Sequence, residues 1–185
     1  MVSRSMAKGV VPIQLSSFSF LTTLALSSCF ESTAITAVDL ATVDPGDQLK
    51  VLLMLTPEES RANFEALEKW ARVGRPQEAT ARHALNAIGA SEHARSKDVL
   101  VSHLRGRNRA SALTAMHNNR RQPGFCQALA KEWVMGPDPD PAIEDTLERA
   151  MTRTPFACAS DLAPYENDFP ERVQSITSPV QVDPE

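Results

Sequence analysis

Apolar positions along most of this chain recur at helical spacing, not in alternation. Phe64, Leu67, Trp70 and Ala71 fall at i, i+3, i+6 and i+7, one face of a helix. Ahead of them, Thr56-Pro57-Glu58-Glu59 predicts a start. Thr56 can cap, Pro57 suits the first helical position, and Glu59 can return a bond to the cap's own N–H. Gly74 and Pro76 predict the stop, and Pro76 opens a second helix with Ala81, Ala84, Leu85 and Ile88 inward and Gly89 after it. A third over residues 91–104 carries Val99, Leu100, Val101 and Leu104, and Gly106 and Asn108 separate it from a fourth with Ala112, Leu113 and Met116. Cys126, Leu129, Ala130 and Trp133 stand at i, i+3, i+4 and i+7 in a fifth, ended by Gly136. In the rigid acidic turn Pro137-Asp138-Pro139-Asp140-Pro141, Asp140 can cap a last helix with Ile143, Leu147, Ala150 and Met151 along one side, and Pro155 ends it.

Two regions depart from this pattern. The apolar run at 49–55 fits a buried strand with residues 35–43 as its hairpin partner. It also fits a short helix capped by Asp47, and the helices downstream favour that reading. Residues 164–185 contain four prolines, few apolar positions and no period, which predicts a disordered or surface-laid tail. The expected fold is all-α: a small bundle of five or six short amphipathic helices over 48–163. A leader (1–28) and a tether (29–47) precede it, and no internal repeat is present.

The leader carries the most specific motif. Residues 1–28 contain Arg4 and Lys8 but no acid, followed by an apolar, small-residue run, the composition of a secretory signal peptide. Met6 serves as a start as well as Met1. At its end, Leu26-Ser27-Ser28-Cys29 resembles the lipobox of bacterial lipoproteins, a branched apolar residue and two small ones before a cysteine. The resemblance implies that Cys29 is linked to diacylglycerol, that the chain is cut before it, and that the new amine is acylated. Two or more acyl chains anchor a protein stably in a bilayer. In a Gram-negative cell, Phe30 after the cysteine favours the outer membrane, facing the periplasm. An ordinary secretory signal and an organelle transit peptide also fit the acid-free leader. A permanent membrane helix fits poorly, because Pro12, Gln14 and several serines interrupt the run.

With Cys29 lipidated, two cysteines remain, Cys126 and Cys158. Their pairing would stabilise the fold by about 3–4 kcal/mol on the chain-entropy model, in an oxidising compartment. Two buried free thiols are the alternative. Aromatic residues are 5% of the chain, so Leu, Ala, Val and Met must build the core. The net charge of −4 conceals an asymmetry: residues 61–121 hold twelve Lys/Arg against five acids, and residues 122–185 hold four against twelve. A basic middle and an acidic end attract each other within a fold or address separate partners.

Catalytic signals are sparse. His83, His93, His103 and His117 form no helical pair with one another or with a cysteine, so no metal site is expected. There is no Gly-x-Ser-x-Gly, phosphate loop or His-Glu-x-x-His, and no cofactor is expected. Asp138, Asp140, Glu144 and Asp145 invite calcium, but alternating prolines and the missing loop glycine argue for a turn and a helix start. Arg105, Arg107, Arg109, Arg120 and Arg121 are the sharpest charged cluster and the candidate partner-binding residues. No aromatics interleave them, which argues against base stacking and nucleic acid. The chain is similar to secretion pilotins in class alone: lipobox, helices and one disulfide. The expectation is a non-enzymatic, lipid-anchored envelope adaptor binding the bilayer through Cys29 and a protein partner through a groove or its charged face. A periplasmic cell-wall hydrolase with a carboxylate pair, and an anion- or nucleic-acid-binding module on the basic face, are the alternatives.

Overall fold

In the computed structural model, which describes residues 39–73 and 78–178, the first part of the apolar run after Asp47 is a short helix, α1 (Gln48–Leu52), and Asp47 pairs with Lys50 at 2.8 Å instead of capping it with its side chain. A 3-10 turn, Leu40–Thr42, precedes it and buries Leu40. Part of the competing hairpin, residues 35–38, lies outside the described residues, as do the leader and Cys29.

The start expected at Thr56 is present. The Glu59 N–H donates to Thr56 Oγ1 at 3.2 Å and the Thr56 N–H to Glu59 Oε2 at 2.9 Å, opening α2 (Pro57–Ala62). The single helix expected from there onward is two, because Asn63 breaks it before α3 (Phe64–Ala71). Asn63 donates its amide to the Glu59 carbonyl at 2.9 Å and accepts from the Leu40 N–H at 3.1 Å. The break therefore pins the incoming chain to the bundle. Phe64, Leu67, Trp70 and Ala71 are all buried, as their spacing required.

Helix α4 (Glu78–Ala90) is central, packing on α1, α2 and α3 and on the two helices that follow it. Gly89 lies inside this helix instead of after it. A Cβ there would fall 2.9 Å from Asn119 Nδ2 and 3.1 Å from the Ala115 carbonyl oxygen, so glycine is what admits the neighbouring backbone. The next helix starts five residues later than expected, as α5 (Ser96–His103). Ser91 Oγ donates to the Ile88 carbonyl at 2.8 Å and lies 3.0 Å from Ser96 Oγ, and these bonds hold residues 91–95 as a turn. Of the apolar residues on α5, Val101 is exposed.

Helices α6 (Arg109–Asn118), α7 (Phe125–Val134) and α8 (Pro141–Thr152) complete the core. Asp140 caps α8 as expected, accepting from the Ala142 N–H at 2.9 Å. Cys126 and Cys158 form a disulfide across 32 residues of sequence. The expected tail boundary at Pro164 is too early, and α8 is not the last helix. A 3-10 segment, Ala159–Tyr165, leads to α9 (Pro170–Thr177), which buries Val173 against the bundle. Residues 179–185 lie outside the described residues. Nine α-helices, and no strand, are present among the described residues, a finer division than the five or six expected.

Candidate interaction surface

The five arginines of the sequence cluster part company at the two ends of α6. At its N-terminal end Arg109 is consumed inside the fold: its guanidinium pairs with Asp138 and lies 3.2 Å from Glu132. Those two carboxylates are 6% and 5% exposed. Arg105 reaches Glu132 at 3.7 Å from the solvent side. Arg107 is exposed, with no ion pair among the described residues. The two carboxylates therefore meet across Arg109, with Arg105 as the second cation, and do not face each other over open space.

The acids that invited calcium are likewise engaged. Asp140 caps α8, Glu144 pairs with Arg172 at 2.7 Å, and Asp145 pairs with Arg149. No group of three or more His, Cys, Asp or Glu side chains is placed to hold a metal ion among the described residues.

At the C-terminal end of α6 a different cationic group assembles. The disulfide, with Cα atoms 5.0 Å apart, returns residues 153–158 to the connection between α6 and α7. Arg120 clamps that return, donating to the carbonyls of His117 at 2.7 Å, Phe156 and Arg153. Arg121 lies over the Phe156 ring, its guanidinium carbon 3.7 Å from the ring centre. Arg120, Arg121 and Arg153 thus converge, and no carboxylate among the described residues pairs with any of them. Burial, then Arg153 and Arg121, lower Arg120 from the usual guanidinium value, yet a guanidinium stays cationic.

His117 belongs to the same group. Burial first, then Arg120, Arg149 and Arg153, hold its imidazole below the usual value, outweighing Asp145. Its Nδ1 is buried without a hydrogen-bond partner. Of the other histidines, His93 stacks on Phe64 with ring centres 4.0 Å apart. His83 and His103 are lowered chiefly by burial, aided by Arg82 and Arg72 respectively, with Glu68 opposing at His103.

Around this group the surface is hollowed. One depression of about 440 Å³ is lined by Pro57, Asn118, Arg120, Arg121 and Phe156. A second, of about 350 Å³, shares Arg121 and Gln122 and adds His93 and Lys97. Gly124, at φ +79°, lets the Lys97 chain lie across it, since a Cβ would come within 2.7 Å of Lys97 Cδ. A third depression meets the second at His93 and runs to Asp39. Glu92, on the rim of the first two, is engaged by Arg61 at 2.9 Å.

Sequence reasoning found Arg120 and Arg121 but missed Arg153, Phe156 and Lys97. The signal for Arg153 and Phe156 was the cysteine pairing itself, which brings the chain before Cys158 back to the chain before Cys126. The chain matches no protein-family model, no curated protein and no solved structure.

Proposed function

We propose that this protein is a non-enzymatic binding subunit of the bacterial cell envelope, anchored by acyl chains on Cys29. In this role it acts as an adaptor for a membrane or secretion assembly. The observation that carries the reading is the Cys126–Cys158 bond. Such a bond persists in an oxidising compartment, and it leaves Cys29 as the one cysteine of three outside that pair. The lipobox resemblance at Leu26-Ser27-Ser28-Cys29 supplies the chemistry that uses it. No helix among the described residues is long and apolar enough to cross a membrane, so within this reading the attachment rests on Cys29.

A binding role is favoured over catalysis by how the carboxylates are used. Glu132, Asp138 and Glu144 are each paired with an arginine, whereas Arg121 and Arg153 are exposed without a carboxylate partner among the described residues, and Arg120 adds its charge while clamping the backbone. The test is a Cys29→Ser variant in the cell of origin, followed by metabolic palmitate labelling and membrane fractionation. Label and membrane association are both expected to disappear, along with any envelope protein that crosslinks to the native form. A variant still retained in the membrane, with the same crosslinks, would contradict the anchoring.

A further inference from the structure

The path from the tether to the cationic group is continuous. Asp39, the first described residue, lines a depression that meets the next at His93, and that one shares Arg121 and Gln122 with the depression at Phe156. Along the latter two lie Lys97, Arg120 and Arg121, with Arg153 beside Arg120 and only Glu92, already taken by Arg61, as an acid. Exposed apolar side chains accompany the charges. Phe156 carries Arg121 on its face, and Leu53 and Met54, 64% and 82% exposed, precede the Pro57 that lines the same depression. Basic side chains beside exposed apolar ones form a surface suited to a membrane interface.

The length of chain between the anchor and this surface selects the occupant. Ten residue steps separate Cys29 from Asp39, and at full extension they reach no more than roughly 35 Å. A bundle so tethered meets headgroups at an effective concentration that no free partner matches. We propose that this surface docks the bundle, disulfide end first, on the anionic headgroups of the membrane that holds the acyl chains. This rests on the anchoring reading above.

The far end of α6, with Arg105, Arg107 and the exposed Met135 beyond Glu132, then faces away, open to a protein. An acidic peptide is the competing occupant. Strand addition needs a sheet edge, and none exists among the described residues. Helix docking needs an unbroken apolar groove, whereas Lys97, Arg120, Arg121, Gln122 and Glu92 interrupt the apolar lining of these depressions.

The test is flotation of the purified full chain with vesicles of phosphatidylcholine alone and of an equimolar mixture with phosphatidylglycerol. Any acyl contribution is common to both vesicles, and the Arg4 and Lys8 charges of a retained leader are common to every variant, so the change of the ratio on substitution reports the charged surface. The mixture should be strongly preferred at low salt, the preference falling as ionic strength shortens the screening length. Arg121→Gln with Arg153→Gln should cut it by about fivefold per charge. Both side chains are exposed and neither has a carboxylate partner, so the variant should stay folded, with a small fall in melting temperature for the lost stacking of Arg121 on Phe156. Arg105→Gln with Arg107→Gln should leave the ratio unchanged.

Equal binding to both vesicles, or equal losses from the two variants, would overturn the proposal. Capture by a glutamate-rich peptide without headgroup preference would transfer the surface to an acidic protein. The mass of Cys29 in the same preparation separates the two readings: an unmodified cysteine removes the anchor, while the vesicle ratio still decides the docking.

Discussion

Trp133 and Arg172 hold each other by three contacts. The indole N–H donates to the Arg172 carbonyl at 3.0 Å, Arg172 Nε donates to the Trp133 carbonyl at 3.1 Å, and the guanidinium stacks 3.7 Å from the indole centre. The same guanidinium also reaches Glu144 on α8 at 2.7 Å. This one side chain therefore staples α9 to two helices of the core.

Arg172→Ala should accordingly loosen α9 before the rest of the fold. The lost cation–π contact and charge-assisted bonds amount to about 1–3 kcal/mol. Hydrogen exchange over residues 170–177 should rise to near-random rates while α4 stays protected. Unchanged protection in α9 would mean that Val173 burial suffices.

Arg109 is the partner of two buried carboxylates. Arg109→Met should cost roughly 3–5 kcal/mol, since it leaves the buried Asp138 without a cation and Glu132 with only the distant, solvent-side Arg105. Adding Glu132→Gln and Asp138→Asn should recover part of the loss. Denaturant melts of the single and triple variants decide it, and a triple variant less stable than the single one would refute the assignment.

Stability should rise with pH through the range just below the ordinary histidine value of about 6.5. The sign follows from proton binding. His117, His103 and His83 are lowered in the folded state, chiefly by burial, so the unfolded chain binds more protons in that window and acid favours unfolding. Their contribution is complete above the unfolded value and is lost as pH falls toward the folded ones. His117→Gln should flatten the slope of melting temperature against pH. A slope unaltered by that change would remove His117 from the account.

Cys126→Ser should lower stability by about 2–5 kcal/mol in oxidising buffer and cause little further loss in reductant. Because the bond returns residues 153–158 to Arg120 and Arg121, the variant should also expose that segment to protease. Equal losses in both buffers would argue against the bond as the cause.

The helical faces were legible because burial follows the 3.6-residue period: nearly every apolar residue named on these helices is buried, with Cys126 half-buried and Val101 exposed. Capping chemistry at Thr56 and Asp140 was legible because it is local. What escaped depends on distant partners. Asn63 interrupts a helix because Leu40 and Glu59 both use its amide, and Gly89 sits mid-helix because Ala115 approaches it. Residues 170–177 have few apolar positions of their own and are held by Trp133, far away in sequence. The arginines read as one cluster since they are near in sequence, but a helix of ten residues separates them by about 15 Å. The group at Arg120 draws its third member, Arg153, from across the disulfide.

The most direct test is intact mass analysis of the protein extracted from membranes of its own cell. A polypeptide that starts at Cys29, carries the added mass of a diacylglycerol and an amide-linked acyl chain, and lacks two hydrogens at Cys126 and Cys158 is the predicted species. A chain that retains residues 1–28 with Cys29 unmodified would contradict the account.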